Sequence, residues 1–262
     1  MRRDRMTIAV GDRAYGLESA SPAALAFFRR AYAACLRPPG GEAGRFTLAP
    51  CDDGWLVRID GAELVRAPLI EAMHRLDWEM VRRAVKQDSR CAAFHAGWVA
   101  RDGRALLFAG EGASGKSGLC LRAMMRGFRC GAEDVTFFSG DRLVPFPRAI
   151  QLRRDDPLLD GIEPARRFEG CDGRVCVEVR LDEAAAETTA ERLTVVVLDP
   201  TADGPAQPLS PLEGVQRLLG LCHRLDRTSQ ALFDTITTLA AAGRVLVASP
   251  AAALALLDPP EV

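Results

Sequence analysis

Residues 104–134 read RALLFAGEGASGKSGLCLRAMMRGFRCGAED, and the eight residues at their centre, Gly110 to Ser117, fit the pattern G-x-x-x-x-G-K-[ST]. A nucleotide's phosphates need many hydrogen-bond donors held in a curve, and a glycine-rich loop supplies them by turning successive backbone N–H groups inward. The chain has only two lysines, Lys86 and Lys116, so a lysine inside the motif is informative. With this composition a chance match is expected in about one of a thousand such chains.

Working outward, Arg104–Ala109 reads as a strand feeding the loop. Ala92–Ala100 reads as its hairpin partner across Asp102-Gly103, the composition of a two-residue type I′ turn. Lys116–Arg126 has helical patterning, Gly127 suits a left-handed cap, and Phe128–Ala132 returns as a strand. The predicted unit is strand, loop, helix, strand. The loop ends at a helix N-terminus, whose unpaired N–H groups favour anions. Candidate phosphate-binding residues are therefore Gly110, Gly112, Ala113, Ser114, Gly115, Lys116, Ser117 and Gly118, with the Ser117 hydroxyl a ligand for Mg²⁺.

Glu133 and Asp134 follow the returning strand, where the carboxyl edge of a sheet faces a bound nucleotide. Side chains alternate along a strand, so the two carboxylates are expected to point different ways unless the strand has ended. Asp134 joins Ser117 as a candidate metal ligand. If the hairpin turns at Asp102-Gly103, opposed residues have numbers summing to 205, which sets His95 beside Gly110. A histidine there suits acid/base work or the orientation of a carboxylate, and a structural role is an equal alternative. Asp199, after the apolar run Leu193–Leu198, competes for the metal as a Walker B-type acid, and Arg148 is a candidate clamp. His74 and His223 read as surface or packing residues.

The remaining chain reads as support. A helix is expected from Ser21 to Leu36, a hairpin around Asp60-Gly61, and a helix with one apolar face from Pro68 to about Asp88. Downstream, Arg174–Leu181 and Arg244–Ala248 read as strands. Ser210, Pro211 and Glu213 open a helix to about Leu225, a second helix reaches Ala242, and Ser249-Pro250 opens a short last one. This gives an α/β protein with an N-terminal α+β lobe at residues 1–90 and a nucleotide-binding domain at 91–262.

A formal net charge of -1 lacks the basic footprint of a nucleic-acid binder. Eight cysteines without a CxxC pair, no leader and no long apolar run suggest a cytoplasmic chain with no membrane contact.

The stretch from His95 to Asp134 resembles the core of the bacterial HPr kinase/phosphorylase family. The shared features are the histidine strand, the cradle at Gly110–Ser117, Arg126-Gly127, and an acidic pair after alanine at Ala132-Glu133-Asp134. The resemblance implies the fold of P-loop phosphoenolpyruvate carboxykinases and ATP- and Mg²⁺-dependent phosphoryl transfer to a serine hydroxyl. It also implies Glu133 as base, with Asp134, His95 and Lys116 completing the catalytic group. The pattern departs from the family at Glu133, where an aspartate is expected, and at Ala96, where a glycine is expected. A downstream glycine-rich signature and a matching N-terminal half are missing. The implied acceptor is accordingly a peptide or small protein other than HPr, in the manner of HPr-kinase-related proteins of peptide-modification pathways. A small-molecule kinase and a non-catalytic nucleotide-binding module are the alternatives, and a homo-oligomer is compatible with each.

Overall fold

The computed structural model describes residues 4–87, 91–170, 172–222 and 230–258. It is a mixed α/β structure with three sheets and, among the described residues, six α-helices.

The chain opens with β1 (Asp4–Val10) and β2 (Arg13–Ser19), then α1 (Pro22–Ala31), β3 (Leu36–Arg37), β4 (Gly44–Cys51), β5 (Gly54–Ile59) and β6 (Ala62–Ala67). These strands form one sheet in the order β3-β1-β2-β4-β5-β6, antiparallel except at β2–β4. The Asp60-Gly61 turn has positive φ at both residues (50° and 88°), as a type I′ hairpin requires. Ser21 caps α1 by accepting from the Ala24 N–H, with Pro22 in the first turn. The helix stops at Ala31 rather than Leu36. Leu36 and Arg37 instead pair with Ile8 and Thr7 of β1, so an open sheet edge outweighs helix continuation. The long helix α2 (Leu69–Gln87) buries Ala72, Met73, Leu76, Met80, Val81 and Ala84 against this sheet, on the predicted face.

The second sheet contains β7 (Cys91–Arg101) and β8 (Arg104–Ala109), followed by α3 (Lys116–Met125), β9 (Arg129–Ala132), β10 (Val135–Ser139) and β11 (Arg142–Val144). Asp102 and Gly103 turn with φ of 53° and 75°. Ala96 lies opposite Ala109 and Arg101 opposite Arg104, which is the register the 205 sum requires. A three-stranded sheet of β12 (Ile150–Leu152), β13 (Arg167–Glu169) and β14 (Val175–Val177) packs beside α3, with β14 shorter than the alternation at Arg174–Leu181 suggests. The chain then adds β15 (Thr188–Thr189), β16 (Leu193–Leu198), β17 (Gln207–Pro208), α4 (Pro211–Leu221), α5 (Gln230–Ala241), β18 (Val245–Ala248) and α6 (Pro250–Ala255). The path through the large sheet is β15-β11-β10-β7-β8-β16-β18-β17, with β9 also on β7. Among the described strand pairs of this sheet, β8–β16 and β16–β18 are parallel.

Alternation explains why β8 and β16 read as continuous apolar runs. Leu106, Phe108, Val196 and Leu198 share a core with α3 and α6. Ala105, Leu107, Ala109, Val195 and Val197 share the opposite core with α4 and α5. Ser210 and Glu213 form a reciprocal capping box on α4. That helix ends at Leu221, short of Leu225, and His223 lies outside the described residues. Ala93, Val135, Phe137, Val144 and Phe146 belong to the same apolar cluster as the N-terminal sheet, so the two sheets share packing.

Candidate functional site

The loop between β8 and α3 curls on two left-handed residues, Ala113 (φ 63°) and Gly115 (φ 97°). Gly115 is the N-cap of α3 and offers no side chain to the first turn, so the leading N–H groups of the helix have no intrahelical acceptor. At Gly110 a Cβ would stand 2.6 Å from the Ser114 hydroxyl, which is itself buried without a hydrogen-bond partner. These are properties of a loop that presents backbone donors and excludes side chains.

Lys116 is buried, and its ammonium donates to the carbonyls of Gly110 and Glu111, both at 2.8 Å. Burial pushes its pKa down, against the pull of Asp134, Glu133 and Glu111. Ser117 faces inward one residue on, and its hydroxyl donates to Glu133 Oε1 at 2.6 Å.

The two acids lie where β9 stops and β10 begins, opposite Gly97 and Ala96 of β7. The Asp134 carbonyl accepts from the Ala96 N–H (3.1 Å), which holds the break against the sheet. Because the strand is interrupted there, both carboxylates reach one cleft instead of opposite faces. A Cβ at Gly97 would stand 2.6 Å from the Glu133 carbonyl oxygen and 2.7 Å from Cys120 Sγ. Glycine is therefore required one position after the Ala96 that departs from the family pattern.

Their environments diverge. Glu133 is 4% exposed, and burial together with the charge of Asp134 pushes its pKa up to about 7, against Arg148 and the Ser117 hydrogen bond. Asp134 moves the other way. Burial would raise it, but the hydrogen bond to His95 and the charge of Arg148 outweigh burial and hold its carboxyl well below the usual range. His95 Nε2 lies 2.9 Å from Asp134 Oδ1. Arg148 stands on the other side, with one nitrogen 3.5 Å from Asp134 Oδ2 and another 2.5 Å from Asp77 Oδ2 of α2.

An open cleft of about 880 Å³ joins these groups. Its walls include Gly112–Gly118, Glu133, Asp134, His95 and Arg148, and also His74 and Asp77 of α2. All expected cradle residues from Gly112 to Gly118, both acids and His95 thus face one space, with Gly110 at the base of the loop. The Ser117 hydroxyl, expected with Asp134 at a metal, donates in this structure to Glu133, the carboxylate on the α3 side of the break. Asp199 does not line the cleft; its carboxylate accepts from the N–H and hydroxyl of Thr201 and stabilises the turn after β16. His74, expected at the surface or in packing, is exposed on α2 at the wall of the cleft. Asp77 had no signal in the sequence, since its role depends on an arginine 71 positions away.

Among the described residues no group of three or more His, Cys, Asp or Glu side chains is placed to hold a metal by themselves. Mg²⁺ ordinarily takes one or two protein ligands and completes its shell with water and phosphate oxygens, a demand that Ser117 and one carboxylate can meet. Among the described residues no helix is long and apolar enough to cross a membrane.

No protein-family model matches the chain, and no curated protein matches it. Among solved structures it is similar to the HPr(Ser) kinase/phosphatase from Coxiella burnetii, with 19% identity over 46% of this chain and 71% of that one and a TM-score of 0.27. So slight a likeness bears no weight for activity, which has to be argued from the cleft itself.

Proposed function

We propose that this chain is an ATP- and Mg²⁺-dependent kinase with a P-loop core of the HPr-kinase-like kind, transferring a phosphoryl group to a serine-type hydroxyl of a peptide or small protein. The observation that carries this reading is the convergence, in one cleft, of a donor-rich loop ending in Lys116 and Ser117 with the carboxylates of Glu133 and Asp134.

The residues present fit a nucleotide triphosphate and its metal. Lys116 is held by two neutral carbonyls, so its charge is free to turn to an anion. The first N–H groups of α3 face the same space. Mg²⁺, when bound, would neutralise charge on the phosphates, and Ser117 with Glu133 would hold it. Asp134, fixed between His95 and Arg148, would orient the acceptor hydroxyl and take its proton. Phosphoryl transfer asks a protein mostly for positioning and charge compensation, so a strongly acidic Asp134 serves even as a weak base. Glu133 as base and Asp134 on the metal is the reverse assignment, favoured by the pKa of about 7 at Glu133.

The test is mass spectrometry of candidate peptide acceptors incubated with ATP, Mg²⁺ and the protein. It is paired with calorimetry of ATP binding to the wild type and to Lys116→Ala, which should bind roughly tenfold or more weakly while keeping its fold. Equal binding by both proteins would remove the nucleotide from the loop. A protein that binds ATP but transfers phosphate to no acceptor, with or without Glu133→Gln and Asp134→Asn, is a nucleotide-binding module.

A further inference from the structure

His74, Asp77, Arg148 and Gln151 line the main cleft and also line a second, smaller cavity of about 50 Å³ between α1, α2 and the three-stranded sheet. The rest of that cavity is largely apolar, with Phe27, Ala31, Ile70 and Met73 among its walls. Ile70 is 44% exposed, so this wall of the cavity can be reached from solvent. The space exceeds the roughly 10–15 Å³ one water needs, and apolar walls hold water poorly.

We infer that this cavity is an acceptor subsite, which receives one aliphatic side chain from a peptide residue next to, or one removed from, the hydroxyl to be phosphorylated. The substrate class rests on the kinase reading above, whereas the pocket rests on geometry alone. In-line displacement sets the attacking hydroxyl opposite the leaving nucleotide, on the side of the acids away from Lys116. The groups next to Asp134 on that side are Arg148 and, through it, Asp77. An acceptor chain laid along this partition passes the cavity that the same residues bound. Asp77 Oδ1 is buried there without a hydrogen-bond partner, and an acceptor backbone N–H is the kind of donor it lacks.

The experiment uses N-acetyl-leucine amide as probe and follows methyl-labelled methionine resonances by NMR, with Met73 assigned by Met73→Leu. A saturable shift of Met73 in the millimolar range is expected, about tenfold weaker for N-acetyl-glycine amide. Ala31→Leu fills the space and should abolish the shift while ATP affinity stays as in wild type; Ile70→Asp serves if that variant does not fold. No saturable shift, or an undiminished one in the filled variant, overturns the subsite. A serine-centred peptide library with ATP and Mg²⁺ supplies the second arm. Enrichment of aliphatic residues at one position flanking serine, lost in Ala31→Leu, supports the assignment, and an even distribution overturns it. A library with no phosphorylation overturns the kinase reading, and the Met73 shift then decides the cavity by itself.

Discussion

The hydroxyl of Ser117 donates to Glu133 Oε1 across 2.6 Å, tying the first turn of α3 to the break between β9 and β10. Sixteen residues apart in the chain, the two meet because β9 returns antiparallel to β7 and stops where Gly97 leaves room for it. The second acid turns instead to His95 and Arg148. One short segment thus delivers a buried carboxyl to the phosphate loop and a charged one to the opposite wall.

This division predicts different defects for the two amide variants. Glu133→Gln should raise the Mg²⁺ concentration for half-maximal turnover by about tenfold, in line with loss of a metal-site partner. Asp134→Asn should lower kcat by roughly a hundredfold with little change in the Mg²⁺ requirement, as expected for a group facing the acceptor. Steady-state kinetics over a magnesium titration separates them, and the opposite pattern would exchange the two roles.

Glu133 also links stability to pH. A carboxyl whose pKa rises on folding binds more protons folded than unfolded, so stability falls as pH climbs from about 4.5 to about 7. Glu133→Gln abolishes that loss. Its stability relative to wild type should rise across this window and level off above it, by on the order of 3 kcal/mol at most. Asp134 has the reverse sign, because its lowered pKa contributes stability above the ordinary carboxyl range that is lost on acidification. Urea unfolding of Glu133→Gln from pH 4 to 8 and of Asp134→Asn from about pH 2 to 5, each against wild type, measures the slopes, and slopes of the same sign would contradict the two environments.

How far the site was legible depends on the distance over which each signal acts. The type I′ turn at Asp102-Gly103 and the caps at Ser21, Ser210 and Ser249 are local chemistry, and all are found in the structure, as is a loop at Gly110–Ser117 that turns on Ala113 and Gly115 into α3. The hairpin register followed from the turn by arithmetic, and it located His95 near the loop. In the sequence Arg148 is one arginine among many, and only the fold sets Asp77 and Asp134 on either side of it. Asp199 carried a Walker B-type pattern, yet Thr201 two residues later occupies its carboxylate in a turn. The end of α1 failed for a similar reason: the pairing of Leu36 and Arg37 with β1 is a tertiary choice that helix patterning does not contain.

Two glycines predict separable failures. At Gly97 an added Cβ meets the Glu133 carbonyl oxygen and Cys120 Sγ, so Gly97→Ala should destabilise the protein by about 1–3 kcal/mol and displace the acids. At Gly112 no atom lies within 4 Å of an added Cβ. Gly112→Ala should melt like wild type but bind ATP more weakly, since an added methyl would occupy open space at the cleft where the proposed phosphates would lie. Melting curves and ATP titrations on both variants decide the matter; a stable Gly97→Ala with full turnover would show that the bend tolerates a side chain.

His95 is predicted to act through Asp134 and not on the nucleotide. Its Nε2 is 2.9 Å from Asp134 Oδ1, whereas the donors proposed for phosphate are the backbone N–H groups of α3 and its loop. Removing it leaves Asp134 held only by the longer contact to Arg148. His95→Ala should therefore reduce kcat by roughly tenfold to a hundredfold and change the ATP dissociation constant by less than about twofold. His95→Gln, which can still donate toward Asp134, should recover part of the loss. If His95→Ala instead weakens ATP binding as much as it slows turnover, the histidine contacts the nucleotide, and Asp134 is oriented by Arg148 without its help.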